Sequence, residues 1–116
     1  MNEERKIVIA SDAGISIRST EDIPNAIAAC FGAEGLILTE DDFAQEFFDL
    51  RSGLAGELFQ KFTNYGLRVA IVLPDPEAHG KRFSELAYEH TSHGMIRFAR
   101  TKDEAEAWLG AEDLSK

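Results

Sequence analysis

The chain has 116 residues, 44% of them hydrophobic, which fits one globular domain that can bury a single core without metal or disulfide support. Its formal charge of −9 argues against binding to nucleic acid or to a membrane surface, because phosphate groups attract a basic face and repel an acidic one. A basic or neutral protein partner is favoured instead.

The amino terminus and the cysteine content both predict a cytoplasmic protein. MNEERK is charged and leads directly into a strand-like run, so it lacks the apolar length of a signal peptide or a membrane span. Cys30 is the single cysteine, and its place in the apolar run AIAACF predicts a buried small hydrophobic residue rather than a reactive thiol.

Two short strands and a helix are predicted first. KIVIA (6–10) is rich in β-branched residues, and ISIR (15–18) follows the turn cluster SDAG, so the two predict an opening β-hairpin. TEDIPNAIAACFG (20–32) has apolar residues at helical spacing, Pro24 in its first turn and Gly32 as a stop, which predicts a helix.

The middle of the chain begins with GLILT (35–39), a short apolar run that predicts a strand covered on both faces. EDDFAQEFFDL (40–50) predicts a short helix that places aromatic rings under the sheet edge. Phe47 and Phe48 are adjacent and cannot both point inward from one helical turn, so we expect one of them to be exposed.

The clearest helix begins at Ser52 and ends at Gly66, with LRVAIVL (67–73) after it as a central parallel strand and PDPEAHG (74–80) as a loop. Its apolar stripe consists of Leu54, Ala55, Leu58, Phe59, Phe62 and Tyr65.

A further helix and a last strand, MIRFA (95–99), follow the loop. Thr101 and Glu104 have the spacing of a capping box, so they predict the start of a final helix that ends at Gly110 and leaves 111–116 as a frayed acidic tail. The face of the helix before MIRFA carries Phe83, Leu86, Ala87 and His90.

This order of elements predicts one α/β domain over residues 1–116. Helix-bearing connections make the later strands parallel, and the opening hairpin adds an antiparallel element. We therefore expect a mixed, mostly parallel sheet of about five strands with four or five helices.

Two family resemblances can be stated on these residues. LILTEDDFAQEFFDLRSGLAGELFQKFTNYGLRVAIVL, with EAEAWL near the end, is similar to the uncharacterised bacterial domain family DUF4180 over nearly the whole chain. More remotely, the element order and the arrangement of a strand, Ser-Gly-Leu and a helix resemble the STAS domain of anti-sigma factor antagonists. That resemblance implies a STAS-like fold and a serine at a helix start, which a partner kinase that doubles as the anti-sigma factor phosphorylates to abolish the contact.

The positions that match the STAS motif are Ser52, Gly53 and Leu54, with Asp49 as the nearest acid. The chain departs from that family immediately before the serine. Leu50 and Arg51 stand where the family has an acid and a small hydroxyl residue.

Two interpretations of Ser52 stay open. Serine is a preferred N-cap, and its hydroxyl would satisfy a free amide of the first turn. A phosphate at the same place would be stabilised by those amides and by Arg51. Gly53 and Gly56 either allow close packing on the sheet or leave backbone open to a partner or an anion. The candidate partner- or ligand-binding residues are therefore Asp49, Arg51, Ser52, Gly53, Leu54 and Gly56.

Other polar clusters favour structural roles. Glu89, His90 and His93 share helical spacing, but a satisfied, partly buried histidine is favoured over a zinc ligand at His90, and His79 has no evident partner. A solvated acidic face is expected for Asp41, Asp42, Glu46 and Asp49. The sequence assigns no catalytic residue, metal ligand or cofactor.

The sequence thus predicts a non-enzymatic cytoplasmic regulator that binds a protein, for which the STAS resemblance implies a regulatory kinase or an anti-sigma-like factor. The alternative is a small-molecule or anion sensor whose pocket joins the Gly53–Gly56 helix start to the PDPEAHG loop. A hydrolytic enzyme using Asp49, Arg51 and the histidines is the third hypothesis.

Overall fold

Four parallel strands form one sheet in the computed structural model, which describes residues 7–90 and 94–114. The strands lie side by side in chain order, so β2 and β3 are the inner ones. Consecutive residues of both strands are buried, which confirms the prediction that these two apolar runs form strands covered on both faces. The strands are β1 (Ile7–Ile9), β2 (Gly35–Thr39), β3 (Arg68–Val72) and β4 (Ile96–Ala99).

Helices cover both faces of this sheet, which confirms the α/β class. Three of them, α2, α3 and α4, each connect one strand to the next and pack on the face that carries Leu36 and Ile71. The last helix, α5, packs on the opposite face against Ile37 and Ala70. The helices are α1 (Ala10–Ala13), α2 (Asp22–Ala29), α3 (Leu54–Asn64), α4 (Lys81–Glu89) and α5 (Lys102–Leu114).

Gly35 allows α5 to lie close to the sheet. A Cβ atom on this residue would come within 2.7 Å of a methyl group of Leu109 and 2.9 Å of the carbonyl oxygen of Arg68. Contacts this short exclude any larger side chain without movement of β3 or α5.

The predicted opening hairpin is wrong. After β1 the chain enters the single turn of α1, which ends at Gly14 with a φ of 73°, and Ile15 N donates back to Ala10 O at 2.9 Å. ISIR contributes one isolated parallel bridge, between Ile17 and Phe43. The described part of the chain therefore has four strands rather than five, and its sheet has no antiparallel member. Lys6, where the first strand was predicted to begin, lies outside the described residues.

The predicted helix over residues 40–50 is instead a series of short 3₁₀ turns, and the expectation of one exposed phenylalanine is wrong. Phe47 and Phe48 are 0% and 9% exposed. A 3₁₀ turn ends after a few residues, so its neighbours are not held on one long helical surface and both rings can enter the core. The Phe43 and Phe47 rings stack with centroids 3.9 Å apart. The turns span Glu40–Asp42, Gln45–Phe48 and Leu50–Ser52.

The later helices follow the prediction with differences at their ends. α3 is followed by Gly66 with a φ of 70°, although Tyr65 is 63% exposed rather than part of the buried stripe. At the start of α5, Glu104 N donates to Thr101 Oγ1 at 3.1 Å, while the Glu104 carboxylate accepts from Arg100 N at 2.9 Å. α5 continues past Gly110 to Leu114, because one interior glycine costs about 1 kcal/mol and does not by itself stop a helix. Of the predicted tail, residues 115 and 116 lie outside the described residues.

Candidate functional site

The segment before α3 presents an exposed ion pair. The Asp49 carboxylate accepts hydrogen bonds from Arg51 N at 3.1 Å and from Arg51 Nε at 3.2 Å. The side-chain hydrogen bond, followed by the backbone one, lowers the pKa of the Asp49 carboxyl, and the same contact raises the pKa of the Arg51 guanidinium. Both groups therefore stay charged, with the Arg51 side chain 90% exposed.

Ser52 ties the preceding turn to the head of α3. Its Oγ donates to Glu46 O at 2.7 Å and accepts from Leu54 N at 3.2 Å, although the serine itself is exposed. Leu54 is the first residue of α3, so the hydroxyl satisfies a first-turn amide, as an N-cap does. The residue that borders the helix is Gly53, one position later than predicted.

The neighbouring candidates have different surroundings. Gly53 has a φ of 80°, a left-handed conformation that favours glycine, and it ends the 3₁₀ turn. Gly56 lies exposed in the first turn of α3, and a Cβ atom there would meet nothing within 4 Å, so close packing on the sheet does not explain it. Leu54 is 3% exposed and packs in the core, so its side chain anchors the helix rather than offering a contact surface.

A cleft of about 600 Å³ separates this segment from the start of α4. We call it the basic cleft, because Arg51, Lys81 and Arg82 line it together with a single acid, Asp49. The Gly80 end of the PDPEAHG loop, one of the two parts of the predicted pocket, also lines it. Gly53 and Gly56 do not line it, so the cleft is built on the start of α4 and not on the start of α3. Its lining residues are Phe48, Asp49, Leu50, Arg51, His79, Gly80, Lys81, Arg82 and Phe83.

His79 has partners that the sequence did not predict. Its Nε2 lies 3.0 Å from Glu40 Oε2, its ring stacks on Phe48 with centroids 3.8 Å apart, and its side chain is 11% exposed. Glu40 follows β2 and His79 follows β3, and the carboxyl ends of neighbouring parallel strands meet at one edge of the sheet. The order of parallel strands was therefore the signal that could have found this contact.

Asp42 corrects the prediction of a wholly solvated acidic face. It is 8% exposed, and its carboxylate accepts from Thr39 N at 2.8 Å and from Thr39 Oγ1 at 3.1 Å. The Thr-x-x-Asp spacing, typical of a capping box, was the available signal. Asp41, Glu46 and Asp49 are exposed as predicted.

The remaining candidates have structural surroundings. His90 Nδ1 lies 2.9 Å from Leu86 O, which confirms a satisfied, partly buried histidine, while His93 lies outside the described residues. Cys30 is 0% exposed, and burial raises the pKa of its thiol to about 11, as expected of an unreactive cysteine. Residues 7–90 and 94–114 contain no group of three or more His, Cys, Asp or Glu side chains that could hold a metal ion.

Within the described residues, no helix combines the length and apolar character needed to cross a membrane.

Comparisons with known proteins place the chain in a family. Neither the curated proteins nor the solved structures contain a match. A family model described as "Domain of unknown function (DUF4180)" matches residues 2–109, so the chain belongs to that family.

Proposed function

We propose that the protein is a non-enzymatic cytoplasmic regulator that binds a protein partner through the surface around Ser52, and that phosphorylation of Ser52 controls this binding. The observation that carries the proposal is the double hydrogen bond of the exposed hydroxyl to Glu46 O and Leu54 N. A phosphate ester has no hydroxyl proton to donate, so modification would break the tie to Glu46. The turn and the head of α3 would then separate at this point.

Charge around Ser52 supports the same proposal. A phosphate adds a charge of about −1.5 to −2 and strong acceptor oxygens, which attract a guanidinium. Arg51 is the adjacent residue, and among the described residues its side chain contacts Asp49 alone, in an exposed ion pair, so it is available to exchange that carboxylate for the phosphate. Modification would therefore reorganise the surface that a partner touches.

The STAS resemblance contributes the expected kind of partner, a kinase that doubles as an anti-sigma-like factor. Its contribution comes from the position of Ser-Gly-Leu at a helix start. The sheet adds no support, because it is parallel throughout the described residues.

The test begins with mass spectrometry of the Ser52 peptide from protein purified from its native cells, where we expect partial phosphorylation. Binding of the captured partner is then compared between wild type and Ser52→Asp, which should release it. Ser11→Asp places the same charge at another exposed serine next to a helix start and should leave binding unchanged. Absence of phosphate under several growth conditions, with equal binding by all three proteins, would reduce Ser52 to a cap.

The basic cleft favours a second candidate function, the sensing of a small anion. Arg51, Lys81 and Arg82 line it in a protein of net charge −9. Lys81 and Arg82 are the first residues of α4, and no side chain in the described part of the protein caps that helix start. Inorganic phosphate and glucose 6-phosphate should raise the melting temperature of the wild type, and Arg82→Gln should reduce that shift. A screen with no shift in either protein would remove this candidate.

A further inference from the structure

A second cavity lies at the outer edge of the sheet, on β4. It occupies about 620 Å³ between α4, which lies over one face of the sheet, and α5, which lies over the other. We call it the edge cavity. Four of its lining residues are alanines. These residues are Ala70, Ala87, Ala99 and Ala105.

Three aromatic side chains line the edge cavity, and one of them, Phe98 of β4, is 8% exposed. Trp108 of α5 is half-buried, and Tyr88 of α4 is 79% exposed. The Arg97 and Arg68 guanidiniums lie 4.7 Å and 5.6 Å from the centre of the Trp108 ring, so two cations of the chain itself already contact the indole. The cavity therefore combines a positioned indole with an exposed phenol ring.

The charged groups in the lining are mainly acidic. Four carboxylates face two guanidiniums, which leaves a formal charge of minus two. The guanidiniums have partners within the chain, since Arg97 stacks on Trp108 and Arg100 Nη1 donates to Pro74 O at 3.4 Å. The carboxylates belong to Asp75, Glu77, Glu85 and Glu104.

Three of these carboxylates have no partner among the described residues. Glu104 caps the start of α5, but the side chains of Asp75, Glu77 and Glu85 make no hydrogen bond or ion pair within the described ranges of the chain. They come from two elements, since Asp75 and Glu77 lie in the loop after β3 while Glu85 lies on α4. Negative charge therefore faces the cavity from more than one side.

We infer that the edge cavity binds a small organic cation, an ammonium or guanidinium compound. The carboxylates accept hydrogen bonds from such cations with added charge attraction, and the exposed ring of Tyr88 attracts them as well. The volume lies within the range of about 300–1,000 Å³ that is typical of small-molecule sites. The same chemistry is available from a free amine or from a lysine or arginine side chain of another protein.

Trp108 makes the inference directly testable, because it is the only tryptophan in the chain and lines the cavity. Its emission is followed while the full-length protein is titrated with spermidine and, separately, with an acetylated and amidated Arg-Lys-Arg peptide. We expect a saturable change. Removing two exposed carboxylate contacts should weaken binding by about tenfold, so the Kd is also measured for Asp75→Asn combined with Glu85→Gln.

A matched control removes the same number of charges elsewhere. Asp12→Asn combined with Glu21→Gln alters two exposed acids outside the cavity lining and should leave the Kd within about twofold of wild type. A stronger response to spermidine indicates a free amine as the ligand, and a stronger response to the peptide indicates a protein side chain. A linear, unsaturable response, or an equal loss of affinity in both double variants, would overturn the inference.

Discussion

Alanine substitutions at Gly53 and Gly56 should change stability in opposite directions, although the chemical change is the same. Gly56 has ordinary helical geometry with open space around it, so Gly56→Ala should stabilise the protein by about 0.5–1 kcal/mol through helix propensity. Gly53 has a φ of 80°, where an L side chain is strained, so Gly53→Ala should destabilise it by about 1 kcal/mol. With about 2.1 cal/mol/K of unfolding entropy per residue, 1 kcal/mol corresponds to a shift of about 4 °C in Tm.

Urea unfolding followed by circular dichroism gives both free energies of unfolding, and equal m-values would show that the unfolded states are comparable. Gly110→Ala is the matched control. Gly110 lies inside α5, where an added Cβ atom would likewise meet nothing within 4 Å, so this substitution should also be stabilising. If Gly56→Ala is destabilising while Gly110→Ala is not, the backbone around Gly56 carries a constraint that open space and helix propensity do not describe, and the reasoning fails.

Two further predictions concern the core. Cys30 should react with iodoacetamide at pH 8 much more slowly in the folded protein than in urea, and equal alkylation rates would contradict the assigned burial. Because the unfolded thiol loses its proton first as pH rises toward about 11, the free energy of unfolding should also fall over that range. Phe47→Ala should lower the free energy of unfolding, measured in urea, by about 3–5 kcal/mol because the ring is fully buried. Phe31→Ala, at an 80% exposed position, should change it by less than about 0.5 kcal/mol. Similar losses of stability in both variants would contradict the assigned core.

Apolar pattern predicted the inner part of the fold well. GLILT and LRVAIVL are apolar on both faces, and only a strand with helices on both sides buries such a run. The first elements of the chain were predicted less accurately. A glycine in left-handed conformation ends a helical turn as readily as it forms a hairpin, so SDAG did not distinguish α1 from a turn between two strands.

The site was predictable where it depended on neighbours in sequence and obscure where it depended on packing. The hydroxyl of Ser52 reaches an amide two residues away, which the position of a serine before an apolar helix indicates. The stacking of His79 on Phe48 and its bond to Glu40 join loops that follow different strands. Such contacts become visible only once strand order is known.

The position of α5 has a consequence for synthesis of the protein. A ribosome completes all four strands before it adds Lys102, so the nascent sheet already has α2, α3 and α4 available while the face carrying Ile37, Ala70 and Val72 still lacks its cover. Exposed apolar surface on an unfinished domain invites association with other chains. A chain that stops before α5 would thus keep the residues of all four described strands but expose a sheet face that invites chaperone binding or aggregation, so α5 protects the new sheet from association.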